Sequence, residues 1–122
     1  MVIMDDQWPR ALLRAALLDA GYDAVGARSV SEALAQTPAD PERGAVRLVI
    51  IDRPVLARED TPLADLLGAH RNPVTLLLAP AGESAPPGPW SQIIHRPVSI
   101  GDMVRVIRSL LPLTSTGSGS IE

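Results

Sequence analysis

Val2-Ile3-Met4-Asp5-Asp6 and Leu48-Val49-Ile50-Ile51-Asp52 are two short apolar runs that each end in carboxylates. Runs this short and this apolar read as buried strands. In an open parallel sheet, ligands bind in the crevice beyond the carboxyl ends of the strands. If the two strands are neighbours, Asp5, Asp6 and Asp52 converge on one point. Like charges at that spacing need a cation among them or a proton on one of them. The two runs therefore predict an acidic site, and they pose the question of whether it works.

The rest of the chain supplies the frame. After the first strand (2–4), Gln7-Trp8-Pro9 opens a helix, with Pro9 suited to its first turn. Leu12, Leu13, Ala16 and Leu17 fall on its inward face, Arg10 and Arg14 lie outside that stripe, and Gly21 ends the element. A second strand is expected at 22–25. Ser29 or Ser31 caps a brief helix through Ala35, with Val30, Ala33 and Leu34 inward. Residues 37–47 read as a polar loop. The third strand, 48–51, is apolar throughout, as expected when helices cover both faces. A short helix over 62–69 turns Leu63, Leu66 and Leu67 inward, and 74–78 is a fourth strand. Residues 79–89 carry Pro80, Pro86, Pro87 and Pro89 with Gly82 and Gly88, which excludes a regular helix. A fifth strand at 93–95 precedes a capping-box variant, Ser99-Ile-Gly-Asp102. It opens a last helix to Leu111 with Ile100, Met103, Val104, Ile107 and Leu110/Leu111 as its stripe. The order β-α-β-α-β-α-β-(loop)-β-α implies an α/β fold with a doubly wound five-stranded parallel sheet. Right-handed crossovers in the flavodoxin-like order 2-1-3-4-5 place the first and third strands side by side.

Composition narrows the function classes. The chain has 122 residues, 46% of them hydrophobic, which suits one domain with a real core. Its net charge of −3 offers no basic footprint, so no direct nucleic-acid contact is expected. There is no cysteine, hence no disulfide and no thiolate metal site. No apolar run approaches the ~18 residues of a membrane span. Acids stand near the start where a secretory signal would have basic and then apolar residues, so a cytoplasmic domain without direct membrane contact is expected. All eleven basic residues are arginine, so no role that needs a lysine can be filled. With no Phe, one Tyr and two Trp, the core must be aliphatic. Residues 1–112 form the expected domain. The tail 113–122 (LTSTGSGSIE) reads as a flexible linker or an expression tail, and such an end is what an excised domain would carry.

Over roughly its first 111 residues the chain resembles the receiver domain of bacterial response regulators and hybrid histidine kinases. Val-Ile-Met-Asp5-Asp6 resembles that family's strand ending in an acidic pair that holds Mg²⁺. Residues 12–22 resemble its first helix and second strand. Leu-Val-Ile-Ile-Asp52 resembles the strand that ends in the phospho-accepting aspartate. His-Arg-Pro97 resembles the Lys-Pro pair after the fifth strand, whose peptide bond is usually cis. The resemblance implies Asp52 as phospho-acceptor, Asp5, Asp6 and Asp52 as metal ligands, Mg²⁺ as the cofactor, Arg96 at the phosphate-binding lysine position, and Pro97 as a cis-proline. A carboxylate at such a site attacks a phosphoryl group held on a donor histidine and forms an acyl phosphate.

The chain also departs from the family pattern. Leu78 stands where a Thr or Ser hydroxyl is expected, and Ile93 where an aromatic ring switches. Arg96 keeps the lysine's charge on a longer, planar group that could also occupy the metal's place. Arg53-Pro54-Val55-Leu56 replaces the usual Met-Pro and Gly. The span from Leu78 to Arg96 is about one helical turn shorter than usual, so the fourth helix is expected to be shortened or missing. Trp90 with His95, Arg105 and Arg108 forms a candidate ligand or partner surface; alternatively Trp90 covers the gap left by the helix. His70 reads as a helix C-terminal residue.

Three functions are consistent with these residues. The first is a pseudo-receiver, not an enzyme, acting through protein–protein or interdomain contacts with weak or absent phosphorylation. Its partners would be a histidine kinase, other domains of the same signalling protein or, as a homodimer, a second copy. Residues 79–90 and the last helix are its expected contact surfaces. The second is a receiver accepting phosphate on Asp52 from a histidine kinase with Mg²⁺. The third is a sensor of a small ligand such as a cyclic dinucleotide.

Overall fold

The computed structural model describes residues 1–36, 46–57 and 62–112. Its elements are β1 (Val2–Ile3), α1 (Gln7–Asp19), β2 (Gly26–Ala27), α2 (Val30–Gln36), β3 (Leu48–Asp52), α3 (Arg53–Ala57), α4 (Leu63–Ala69), β4 (Val74–Ala79), β5 (Gln92–His95) and α5 (Ile100–Leu110). The five strands form one parallel sheet in the order β2-β1-β3-β4-β5. This is the doubly wound, flavodoxin-like topology that the strand and helix pattern implies, and it sets β1 beside β3. The expected tail at 113–122 and most of the expected loop at 37–47 lie outside the described residues.

Strand alternation sorts the core into two layers. Ile3, Val49, Ile51 and Leu77 point to one face and pack with Val30, Ala33, Val55, Leu66 and Leu67 from α2, α3 and α4. Val2, Met4, Leu48, Ile50, Leu76 and Leu78 point to the other and pack with Leu13, Leu17, Met103 and Ile107 from α1 and α5. Every residue of β3 is buried, as its unbroken apolar run requires.

Four local expectations change. The second strand is Gly26–Ala27 and not 22–25, because β1 pairs in register with Gly26 and Ala27. Residues 22–25 instead link α1 to the sheet: the Tyr22 hydroxyl donates to the Leu111 carbonyl at 2.8 Å, and Ala24 accepts from Arg14 Nε at 2.9 Å. Gly26 leaves room for Arg10, whose Cδ would stand 3.3 Å from a Cβ there. Arg53–Ala57 forms a short unforeseen helix, α3, with Pro54 in its first turn, where a missing N–H costs nothing. Leu12 is turned outward and 55% exposed, while Leu13 and Leu17 are buried. The Ser99…Asp102 box is half made: Ser99 Oγ accepts from the Asp102 N–H at 3.0 Å, but the Asp102 carboxylate turns to Arg105 at 2.7 Å. No helix lies between β4 and β5. Among the described residues, no helix is long and apolar enough to cross a membrane.

Candidate functional site

Asp52 is the last residue of β3 and is buried at the carboxyl edge of the sheet. Arg96 follows β5 directly. Its backbone N–H donates to the Ala79 carbonyl at 2.9 Å, which fixes its position at the end of β4. From there its side chain crosses the end of β4 to Asp52. Nη1 donates to Oδ1 at 2.6 Å and Nη2 to Oδ2 at 3.1 Å, a two-pronged, charge-assisted pair. The Arg96–Pro97 peptide bond is cis. Arg96 is held above the usual arginine pKa, chiefly by its hydrogen bond to Asp52, against a smaller opposing effect of burial. The field of Asp6 acts in the same direction as Asp52.

Leu78 sits between the partners in the ladder, in register with Asp52 on one side and Ile94 on the other. It is 1% exposed and belongs to the core under α1 and α5. Leu78 thus gives the ion pair an apolar neighbour in the sheet, and low polarity there strengthens the pair. Ile93, in register with Leu77, is 38% exposed at the quadrant that has no helix.

Asp5 and Asp6 are exposed just ahead of α1, where Asp6 takes the N-cap position without a side-chain cap bond. Among the described residues, no group of three or more carboxylates or imidazoles is gathered closely enough to hold a metal ion. The expected metal set of Asp5, Asp6 and Asp52 is therefore not assembled. Hard carboxylate oxygens are the right donors for Mg²⁺, but both oxygens of Asp52 already carry arginine N–H groups. The residues as arranged do not fit the ion.

The structure also divides the candidate surface of Trp90, His95, Arg105 and Arg108. Trp90 packs with Ala85 against the core layer under α2, α3 and α4, whereas α5, with Arg105 and Arg108, covers the opposite face. Trp90 Nε1 donates to the Pro86 carbonyl at 2.8 Å, and a Cβ on Gly88 would come within 2.5 Å of the indole. His95 bonds through Nε2 to the Glu83 carbonyl at 3.0 Å. Arg53 Nε, buried and without a hydrogen bond, stands 3.5 Å from the Glu83 carboxylate: an ion pair by distance, but too long for a good hydrogen bond. Residues 80–91 are thus tied to β5 and α3 through Glu83, and closed on themselves through Trp90. The split sets Trp90 on the opposite face of the sheet from Arg105 and Arg108.

One surface escaped the sequence reading. Of four large apolar residues left exposed among the described residues, Trp8 (73%), Leu12 (55%) and Leu18 (48%) all lie on α1. Trp8 and Leu12, four residues apart, share one outward face, whereas Leu18 lies about 120° round the helix from Leu12. The signal was present in Trp8 and Leu18, but an apolar helix with more leucines than its inner face can use does not say which of them faces solvent.

No protein-family model and no curated protein matches the chain. Solved structures do. NtrX from Brucella abortus, in complex with ATP, superimposes with a TM-score of 0.73 at 20% identity, over 90% of this chain and 26% of that one. The receiver domain of the same NtrX gives 0.69 at 18% identity, covering 93% and 98% of the two chains. A response regulator from Burkholderia pseudomallei, with a phosphorylated aspartic acid, calcium ion and citrate, gives 0.66 at 18% identity over 91% and 65%. This chain has the receiver-domain fold. It spans about a quarter of the longer NtrX chain, so the receiver fold accounts for one domain of such an assembly. Within that fold, Asp52 stands where β3 meets the crevice and Arg96 closes over it.

Proposed function

We propose that this chain is a receiver-like signalling module of a two-component pathway that acts through protein–protein or interdomain contacts, with phosphorylation of Asp52 weak or absent. The observation that carries the reading is the Arg96–Asp52 fork: both oxygens that could attack phosphorus are hydrogen-bonded to a cation. Arginine keeps its proton at any physiological pH, so this closure does not titrate away. Leu78 adds to it, because a missing hydroxyl donor removes transition-state stabilisation worth about 2–4 kcal/mol at comparable oxyanion sites. The contacts have material to work with. Trp8 and Leu12 on the outer face of α1 are exposed apolar residues of the kind that mark interaction surfaces, and residues 80–91 give a proline-rich face in place of a helix. A histidine kinase, or another domain of the same polypeptide, is the partner class this reading names.

Position favours a second reading. Asp52 occupies the strand end at which receiver folds carry their phospho-acceptor, and release by Arg96 would restore a nucleophilic carboxylate. Amide NMR with Mg²⁺ and beryllofluoride, which imitates an aspartyl phosphate, separates the two. The first reading expects spectra that do not change around Asp52. Shifts at those amides that vanish in Asp52→Asn would overturn it in favour of the second.

A further inference from the structure

We propose that the Arg96 guanidinium is a tethered substitute for a divalent cation: it leaves the native chain without a metal site at Asp52, and its removal leaves the Asp52 carboxylate open to a divalent ion. The inference deepens the pseudo-receiver reading and rests on it.

The argument begins with charge. A buried carboxylate at a strand end, with a second acid nearby, requires a cation or a proton. In this chain the cation is covalently attached. Arg96 donates to Oδ1 at 2.6 Å and to Oδ2 at 3.1 Å, and Asp6 also acts electrostatically on the same guanidinium. Arg96 therefore lies in the field of both carboxylates. Mg²⁺ requires near-octahedral oxygen ligands at about 2.0–2.1 Å, and it commonly binds through one or two carboxylates with water completing its shell. An ion approaching either Asp52 oxygen along the lone pair that the arginine N–H occupies would overlap it. The remaining approach is poor, because the Asp52 side chain is only 10% exposed and Leu78 lies alongside it in the sheet.

The competition favours the tether. Arg96 is anchored by its own backbone bond to Ala79, so closing on Asp52 loses little freedom, whereas a free ion must give up translational freedom and hydration. Deprotonation of the arginine does not free the site at physiological pH, and a metal at ordinary concentration does not displace it. Once the guanidinium is gone, Asp52 is a buried anion that has lost its counter-charge. One or two carboxylates with water completing the shell are enough for a hydrated divalent ion.

Mn²⁺ alone, without beryllofluoride, tests the inference by paramagnetic broadening of ¹⁵N amide spectra. The native chain is expected to show no selective broadening at Asp52. Arg96→Ala is expected to show it, with Mg²⁺ reversing it and added Asp52→Asn abolishing it. Arg96→Gln, which keeps most of the stem and loses the charge, is the second variant and is expected to behave alike. Selective broadening of the native chain as strong as that of the variants overturns the proposal, and so does a lack of broadening in both variants. Metal binding by a native chain that stays silent to beryllofluoride overturns this inference alone and leaves the functional reading standing.

Discussion

Asp52 and Arg96 mark what a sequence of this kind can and cannot disclose about single residues. Strand-end position and residue type were both legible: an apolar run ending in Asp, and an arginine before a proline. Arg96 in the metal's place was legible as an alternative; the two-pronged bond to Asp52 was not, because nothing in the spacing says that a side chain from one strand end reaches over β4 to another. His70 makes the same point. Its place at the end of α4 was legible, and a helix C-terminus ordinarily favours the charged form. Burial reverses that preference. His70 is 6% exposed, Nδ1 accepts from the Val46 N–H at 2.8 Å, and its pKa is lowered, first by burial and then by the charge of the Met1 amino group. The proton of the neutral ring therefore sits on Nε2, which has no hydrogen-bond partner among the described residues. The sign follows by linkage. The unfolded chain takes up a proton near the ordinary value of 6.5 and the folded chain only at lower pH. The stability that His70 contributes is thus fully present above pH 6.5 and falls as the pH drops below it. Urea titrations between pH 7.5 and 5 should show this loss, and His70→Asn should flatten the His-dependent part of it. A native slope that survives unchanged in the variant would place the titrating group elsewhere.

At the scale of elements, α1 shows how periodicity fixes a helix and leaves its facing open. Its apolar residues fill more than one stripe, so Leu12 and Leu13 were equally eligible for the core. Packing decides between them: Leu13 is fully buried beneath α5, and Leu12 is not. The two backbone anchors set the rotation. Arg10 donates to the Met4 carbonyl at 2.7 Å and Arg14 to the Ala24 carbonyl at 2.9 Å, which leaves the Trp8–Leu12 stripe turned outward. The stability consequences of the two leucines are therefore expected to differ sharply. Leu13→Ala should cost about 2–5 kcal/mol by cavity formation. Leu12→Ser should stay within about 0.5 kcal/mol, as surface substitutions do. Chemical denaturation of the two variants checks this, and comparable losses would mean that α1 sits rotated from the orientation described. A stripe that contributes so little to folding is free to serve contacts.

For the whole molecule, strand order and the two-layer core followed from local patterns, because each strand's apolar run and each helix's stripe agreed on one topology. The missing helix between β4 and β5 was equally legible, since prolines exclude it. What replaces it was not, because irregular chain has no period to read. The replacement is a small packed unit: Trp90 against the core layer, its indole bonded to Pro86, Gly88 making room for the ring, and Glu83 bridging toward Arg53 and His95. Such a unit should fold with the domain and not flap over it. Trp90 reports on this once Trp8, which is 73% exposed, is replaced by Tyr. In Trp8→Tyr, Trp90 emission is expected to lie to the blue of a solvated indole, and its urea transition should coincide with that of the far-UV signal, as in a two-state domain. Adding Gly88→Ala forces a Cβ into the indole, so the emission should move red and the Trp90 transition should fall below that of the backbone. Non-coincident transitions already in Trp8→Tyr alone would show that residues 80–91 unfold apart from the sheet, and the proline-rich face could then no longer count as a rigid contact surface.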